Sequence, residues 1–247
     1  MSQQPGPICQ HTAPQDLDDG TSCRAETPNP TPLGLCTEQG KPDFSWGYWE
    51  AVKWKVLGKL PAWMGGAPNV LRNYKDAWVR AHRNLIETLS TSYRLPPELL
   101  GGVAWIEAGG KPYSLKIDVY EVRRFGFEPL TRQPELTSMG PVAIQLRRAA
   151  EAMGVEFDKL TERDKSQLID CLQNADNDLR IVAKHLWQLK QIDFPDKAVL
   201  GKYEIGIIAT RYNRGPDLPL QSILRDTSYG DFIVNRIYAR IQELLKQ

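Results

Sequence analysis

Long apolar runs and an excess of either charge are both missing from this sequence. No stretch approaches the roughly 20 apolar residues that a membrane-spanning helix needs. The first residues, MSQQPGPICQHTAPQ, contain neither the basic nor the apolar segment of a secretory signal. Lys and Arg number 31 against 30 Asp and Glu, so no overall field attracts nucleic acid or an anionic membrane. We therefore expect a protein that is made in the cytoplasm without a Sec signal, has no nucleic-acid partner and does not insert stably into a membrane.

Cysteine is also scarce, which limits the redox and metal chemistry that the chain can support. Cys9, Cys23 and Cys36 precede the regular part of the sequence, and Cys171 lies in a helical pattern. This spacing matches neither a dense disulfide framework nor paired C-x-x-C metal motifs. We interpret the cysteines as unconstrained thiols in the N-terminal stretch and a buried Cys171, with metal ligation by Cys9 and His11 as the weaker alternative. No metal or other cofactor is expected.

Alternating strand patterns and internal repeats are absent, whereas helical periodicity recurs from Phe44 onward, so the fold class is all-α. Residues 1–43 are rich in Pro, Ser, Thr, Gln and Gly and are predicted to be disordered. Residues 44–92 are predicted as a helical N-terminal extension, and residues 93–247 as the main domain. The predicted helices cover 44–60, which is Trp-rich, and then 70–89, 96–108, 142–154, 163–173, 176–195, 198–211 and 228–246. Gly201 and Gly206 fall in one of them and predict a close approach of other backbone.

A carboxylate interrupts the apolar face of the predicted helix in LPPELLGGVAWIEAGG. Pro96 and Pro97 are compatible with a first helical turn because their missing N–H groups would have no partner there. Gly109 and Gly110 are residue types that end a helix readily. Helix geometry places Glu107 in the middle of the apolar arc, where desolvation favours a protonated acid. Glu107 is therefore a candidate general acid, and the alternative is a helix-end Glu that faces solvent or an internal Arg.

Three separated motifs carry a resemblance to a known family. They are Glu107-Ala108-Gly109-Gly110, Ser138-Met139-Gly140-Pro141-Val142-Ala143-Ile144-Gln145 and Ala209-Thr210-Arg211-Tyr212-Asn213-Arg214-Gly215-Pro216. In this order they resemble the E-S-G-G, S-x-G-x-x-Q and A-x-Y-N-x-G signatures of the lysozyme-like lytic transglycosylases and goose-type lysozymes, glycoside hydrolase family 23. The resemblance covers residues 95–220. It implies a lysozyme-like, all-α domain.

The chain departs from the family pattern at several positions. Ala108 replaces the usual Ser, Ala143 the usual Gln, and Asp178 a frequent Asn. Gln145 is the substitute for the missing Gln, but two residues further along a helix point about 200° away. We therefore expect altered sugar contacts at the second motif. The segment 111–137 is longer than a minimal family member needs and is predicted to be mostly irregular.

The resemblance implies cleavage of the β-1,4 bond between N-acetylmuramic acid and N-acetylglucosamine in peptidoglycan. Glu107 would serve as acid and then as base, which leaves a 1,6-anhydro end, and Tyr212 would orient the Glu107 carboxyl through its hydroxyl. Substrate binding is assigned by the motifs to Ser138, Met139, Gly140, Gln145, Asn213 and Gly215. A hydrolytic muramidase needs a second carboxylate instead, for which Asp118 is the candidate.

The implied substrate lies outside the cytoplasm, so a delivery route is required. We expect an antibacterial type VI secretion effector that acts in the periplasm of a target cell, with a phage endolysin as the alternative. The expected partners are the glycan strand, an immunity protein, and a secretion-system component or chaperone. Two non-enzymatic alternatives stay open. A glycan-binding lysozyme-like module is favoured by Ala143, and a helical adaptor would depend on the surface of residues 46–60.

Overall fold

The computed structural model describes Cys36 and residues 60–64, 69–108, 120 and 134–246. These residues all belong to the compact unit Thr31–Gln247. The predicted disordered segment apart from Cys36, the Trp-rich helix up to residue 59, and Asp118 lie outside the described residues.

The main regular elements among the described residues are ten α-helices and one short hairpin, which confirms the all-α class. The helices are α1 (Val70–Ala81), α2 (Arg83–Tyr93), α3 (Pro97–Glu107), α4 (Leu146–Met153), α5 (Glu162–Gln173), α6 (Ala175–Asp193), α7 (Lys202–Arg214), α8 (Leu220–Leu224), α9 (Ser228–Phe232) and α10 (Tyr238–Lys246). A π-helical turn, Ile233–Ile237, joins α9 to α10. The strands β1 (Ser138–Met139) and β2 (Ile144–Gln145) pair antiparallel, with Ser138 opposite Gln145. None of the described helices is long and apolar enough to cross a bilayer.

Helix α3 lies at the centre of the packing. Pro96 is its N-cap residue and Pro97 its first residue, as the sequence predicts. Six consecutive residues, 99–104, are buried because α3 packs against α1, α2, α6, α7 and α10. A helix that is covered on every side is apolar all round. Its C-terminal residue, Glu107, therefore lies at the edge of the core.

Helices on both sides of the predicted boundary at residue 93 contribute to one core. Helices α1 and α2 belong to the predicted extension, and they pack against α3, α6 and α10. Trp78 of α1 and Ile86 of α2 are almost completely buried. The two helices replace the single predicted helix over residues 70–89. The break occurs at His82, whose Nδ1 lies 2.8 Å from the Trp78 carbonyl oxygen and competes for it with the backbone.

The predicted helix that starts at Val142 is also wrong at its beginning. Residues 138–145 form the hairpin, and α4 begins only at Leu146. Gly140 and Ala143 have φ angles of 75° and 54°, which a right-handed helix excludes. The remaining predicted helices within the described residues are present, with ends shifted by a few residues.

The interpretation of the cysteines as unconstrained thiols is wrong for one pair. Cys36 and Cys171 form a disulfide across 135 residues, with Cα atoms 5.6 Å apart. Cys171 is buried in α5, as predicted. Sequence spacing gave no indication of the pairing, because the two residues meet only after the chain has folded. The disulfide attaches Cys36 to α5 in the helical core.

Helices α7 and α9 approach each other closely at two facing glycines. A Cβ atom on Gly230 of α9 would overlap the carbonyl oxygen of Gly206 on α7. The Gly230 N–H donates to the Thr210 hydroxyl at 3.2 Å. A Cβ atom on Gly206 would make only ordinary contacts, at 3.9 Å or more. The close approach predicted at Gly206 is thus confirmed, whereas Gly201 lies before α7 as its N-cap residue.

We predict that Gly230→Ala lowers the free energy of unfolding by about 3 kcal/mol, because the new methyl group forces α7 and α9 apart. Gly206→Ala is the matched control on the facing helix. It should be neutral or stabilise by up to about 1 kcal/mol, since alanine suits a helix interior better than glycine. Chemical denaturation followed by circular dichroism measures both. Equal effects of the two variants would contradict the one-sided contact.

Candidate active site

The candidate acid, Glu107, is the last residue of α3 and is partly buried. The hydroxyl of Tyr229 on α9 donates to its Oε1 at 2.9 Å. Burial, assisted by the negative charge of Glu107, raises the pKa of Tyr229 well above its ordinary value. Tyr229 therefore stays a protonated donor toward Glu107 at physiological pH. The approach of α9 that Gly230 permits brings this hydroxyl within reach.

A cleft with a volume of about 170 Å³ opens beside Glu107. Four helices and the hairpin contribute to its walls, and most of the side chains carry polar groups. The lining residues are Glu107, Ser138, Ala143, Ile144, Gln145, Arg148, His185, Tyr212 and Asn213. The structure thus brings residues of all three sequence motifs together around one carboxyl group.

A buried carboxylate holds the hairpin that forms one wall of the cleft. Asp178 of α6 is fully buried, and its Oδ2 accepts the Val142 N–H at 2.7 Å. A Cβ atom on Gly140 would overlap this carboxylate, so the turn can sit on it only with glycine there. Tyr212 donates to the Val142 carbonyl oxygen at 3.1 Å. Helices α6 and α7 therefore both bind the turn between β1 and β2 at the same residue, Val142.

Ala143 and Gln145 both line the cleft, against the expectation that they would point about 200° apart. That expectation assumed a helix, whereas the backbone here leaves a turn and enters a strand. Ala143 has a φ angle of 54° and Gln145 lies in β2, so the helical offset does not apply to this pair. Gln145, opposite Ser138 in the hairpin, thus presents an amide to the cleft.

Tyr212 belongs to the cleft, but its hydroxyl donates elsewhere than predicted. The tyrosine that donates to the Glu107 carboxyl is Tyr229, whereas the Tyr212 hydroxyl donates to Val142. Burial and the negative charges of Glu107 and Asp178 raise the pKa of Tyr212 well above its ordinary value. We infer that Tyr212 mainly holds the hairpin wall next to Glu107.

Arg148 and His185 also line the cleft. Arg148 of α4 pairs with Glu151 at 2.7 Å and with Asp217 at 2.6 Å, which connects α4 to the loop after α7. His185 is buried, and its ring lies 5.9 Å from that of Tyr212. Burial and the charge of Arg148 lower the pKa of His185 to about 4. His185 is therefore neutral at physiological pH and offers the cleft an uncharged polar ring.

Asn213 is exposed at the cleft edge, two residues after the buried Arg211. The buried Arg211 guanidinium forms two hydrogen bonds with Asp193, at 2.6 and 2.8 Å. It also donates to the carbonyl oxygens of Pro216 and Leu218, at 2.8 and 2.7 Å. A buried arginine needs such a set of acceptors to offset its desolvation. The ion pair fixes the chain where it leaves α7.

Three of the predicted substrate-binding residues do not line the cleft. Met139 is fully buried in the core, so its side chain cannot meet a ligand. Gly140 and Gly215 have positive φ angles, 75° and 104°, and shape the backbone beside the cleft. Asp118, the candidate second carboxylate, lies outside the described residues. Ser138, Gln145 and Asn213 are lining residues, as the motifs suggest.

Sequence reasoning missed Tyr229, His185 and Arg148. A glycine at position 230 in an otherwise bulky helix does indicate close packing, which makes its neighbour Tyr229 a candidate for the interior. Nothing in the sequence indicates which carboxylate it would meet, since Glu107 is 122 residues away. Within the described ranges, no group of three or more His, Cys, Asp or Glu side chains is arranged to hold a metal ion.

The assignment of this cleft rests on its own geometry rather than on relatives. No protein-family model, curated protein or solved structure matches the chain. The lysozyme-like fold and the family resemblance of the three motifs therefore stay predictions from the sequence, and the chemistry of the cleft has to be argued from its residues.

Proposed function

We propose that this protein is a lysozyme-like enzyme that cleaves the β-1,4 bond between N-acetylmuramic acid and N-acetylglucosamine in peptidoglycan, as a lytic transglycosylase. The observation that carries the proposal is the Glu107 carboxyl, bound by Tyr229 at the edge of a polar cleft. Ser138, Gln145 and Asn213 supply hydroxyl and amide groups of the kind that bind sugar hydroxyls and N-acetyl groups.

A single carboxyl group is sufficient for this reaction. The Glu107 acid donates its proton to the glycosidic oxygen while the bond to C1 breaks, and the bonding electron pair stays on that oxygen. The N-acetyl carbonyl of the muramic sugar stabilises the positive charge on C1. The 6-hydroxyl of the same sugar then attacks C1, and the Glu107 carboxylate accepts its proton. The products are a 1,6-anhydro muramic end, an N-acetylglucosamine end with a free 4-hydroxyl, and the regenerated acid, and no water is consumed.

Tyr229 supports both halves of this cycle. Its hydroxyl donates to the Oε1 carboxylate oxygen of Glu107. Hydrogen bonds to an ionised group contribute about 1.5–3 kcal/mol. This donor therefore stabilises the carboxylate that forms when the glycosidic bond breaks, and it restricts the rotation of the Glu107 side chain.

The proposed site of action is the periplasm of a target cell, reached as an antibacterial type VI secretion effector. The Cys36–Cys171 disulfide supports an oxidising compartment, since disulfides persist there and are rare in the cytosol. The proposed partners are the glycan strand, an immunity protein that occupies the cleft, and a secretion-system component or chaperone. A phage endolysin would meet the same compartment and the same substrate.

Purified protein incubated with peptidoglycan should release soluble anhydro-muropeptides, and Glu107→Gln should release none, because an amide is too weak an acid to transfer a proton to the glycosidic oxygen. Mass spectrometry of the fragments measures the result, and equal thermal unfolding of the two proteins controls for folding. Reducing-end fragments would instead indicate hydrolysis with a second carboxylate such as Asp118. Undigested glycan that still binds both proteins would refute the enzyme proposal in favour of a binding module.

Tyr229→Phe should lower kcat about 10- to 100-fold, the range that corresponds to one lost hydrogen bond to an ionised group. Tyr203→Phe is the matched control, because Tyr203 is 62% exposed. Its activity should equal that of the wild type. Rates of fragment release at saturating glycan give kcat for both variants. If Tyr229→Phe retained full kcat while Tyr212→Phe lost it, the role assigned to Tyr229 would be wrong.

Export to the periplasm of a Gram-negative host should make the protein lytic, whereas the same chain kept in the cytoplasm should be tolerated. The periplasmic Glu107→Gln protein should be harmless, because lysis depends on glycan cleavage. Culture density and cell morphology after induction provide the measurement. Lysis by cytoplasmic protein, or by the periplasmic Glu107→Gln variant, would point to a target other than peptidoglycan.

A further inference from the structure

Helix α1 contacts three consecutive residues at the end of α3. Asp76 accepts the indole N–H of Trp105 at 2.8 Å. The neighbouring Lys75 ammonium donates to the Ile106 carbonyl oxygen. The same ammonium interacts electrostatically with the carboxylate of Glu107. One short segment of α1 therefore determines both the position and the electrostatic surroundings of the candidate acid.

The Lys75 side chain is held in place from several sides. Its ammonium lies 5.0 Å from the centre of the Trp105 ring, which also stacks with Phe232 at 6.3 Å. Asp76, the nearest acidic neighbour in sequence, is paired with Arg240 of α10 at 2.7 Å. Asp76 is therefore already paired with the Arg240 guanidinium. A donor bond to the end of α3, an aromatic face and the Glu107 charge together define where the ammonium lies.

We propose that Lys75 is a positioning residue for Glu107, whose ammonium fixes the last turn of α3 through Ile106 and serves as the counter-charge of the carboxylate. The inference rests on the proposed function of Glu107 as acid and base. In that cycle the carboxylate forms when the glycosidic bond breaks, and a fixed cation stabilises it at that stage. The return of the proton from the 6-hydroxyl then restores the acid.

The groups that face Glu107 determine the expected pH dependence. Tyr229 of α9 and Tyr212 of α7 stay neutral, because burial raises the pKa values of both well above the ordinary range. The negative charge of Asp178 on α6 contributes to the raised pKa of Tyr212. Burial lowers the pKa of Lys75, and the negative charge of Glu107 opposes this change. A positive Lys75 favours the Glu107 carboxylate, so its removal must raise the pKa of Glu107.

The test measures the pKa of Glu107 directly, by NMR of side-chain carboxyl carbons in the full-length protein, with Glu107→Gln to assign the signal. In Lys75→Met, which keeps the aliphatic stem and loses the charge, the pKa of Glu107 should rise by about 1. In Lys75→Arg, which keeps the charge, it should stay near the wild-type value. Lys202→Met is the matched control, since Lys202 lies over the Tyr238 ring next to Glu98, at the other end of α3. It should leave Glu107 unchanged.

The reciprocal measurement needs no change at Lys75. Because the interaction between two charges is mutual, Glu107→Gln should lower the pKa of the Lys75 ammonium by a similar amount. This variant also remains informative if Lys75→Met does not fold. Where glycan cleavage is measurable, the alkaline limb of the pH–rate profile should shift to higher pH in Lys75→Met, because Glu107 stays protonated to higher pH.

The outcomes separate this proposal from the proposed function. Unchanged pKa values of Glu107 in Lys75→Met and of Lys75 in Glu107→Gln would overturn the role of Lys75, even if the wild type cleaves glycan. Changes in both, with Lys75→Arg and Lys202→Met near wild type, would establish the pair. The pKa results decide the pair even if the wild type releases no fragments, a result that refutes only the proposed reaction.

Discussion

The cleft depends on one buried carboxylate, that of Asp178. This side chain is fully enclosed, and a charge so placed requires donors in fixed positions. The Val142 N–H is one such donor, and the Tyr212 hydroxyl binds the carbonyl of the same residue. The β1–β2 turn is therefore attached to both α6 and α7. Without this attachment the positive φ angle at Ala143 would have no compensation, and the wall that carries Gln145 would lose its shape.

The opposite side of the cleft is organised from elements that lie outside the three motifs. Glu107 ends a helix whose last turn is contacted by Lys75 of α1, and Tyr229 of α9 donates to its carboxyl. Arg240 of α10 holds Asp76 in turn. Chain segments before residue 95 and after residue 220 thus place the candidate acid. The motif residues supply most of the cleft lining, and the flanking helices supply the geometry of its acid, so the domain has to be treated as one unit.

Much of the helical framework could be predicted from the sequence, because apolar periodicity reports which face of a helix is buried. The start of α3 at two prolines and the close approach at Gly206 also followed from single residues, because proline restricts the backbone and glycine has no side chain. The break at His82 did not, because the local contact of its ring with the Trp78 carbonyl leaves no mark in the apolar periodicity. The hairpin before Leu146 did not either, since it depends on a contact with Asp178 that forms only in the folded chain. The partner of Cys171 and the donor to Glu107 were inaccessible for the same reason. Both involve contacts across more than 100 residues of sequence.

Two costly features coincide in this cleft, which bears on the choice between an enzyme and a passive binding module. Ala143 adopts φ 54°, a conformation that costs an ordinary residue about 1 kcal/mol or more. Glu107 places a carboxylate at the edge of an apolar core, where a neutral side chain would stabilise the fold better. Neither feature contributes to stability, and local rule-breaks of this kind concentrate at functional sites. A glycan binder could explain an unusual turn, because a wall needs shape. It gives no reason to fix an acid with Tyr229 and to set an ammonium beside it, whereas proton transfer requires both a fixed carboxyl and a controlled charge.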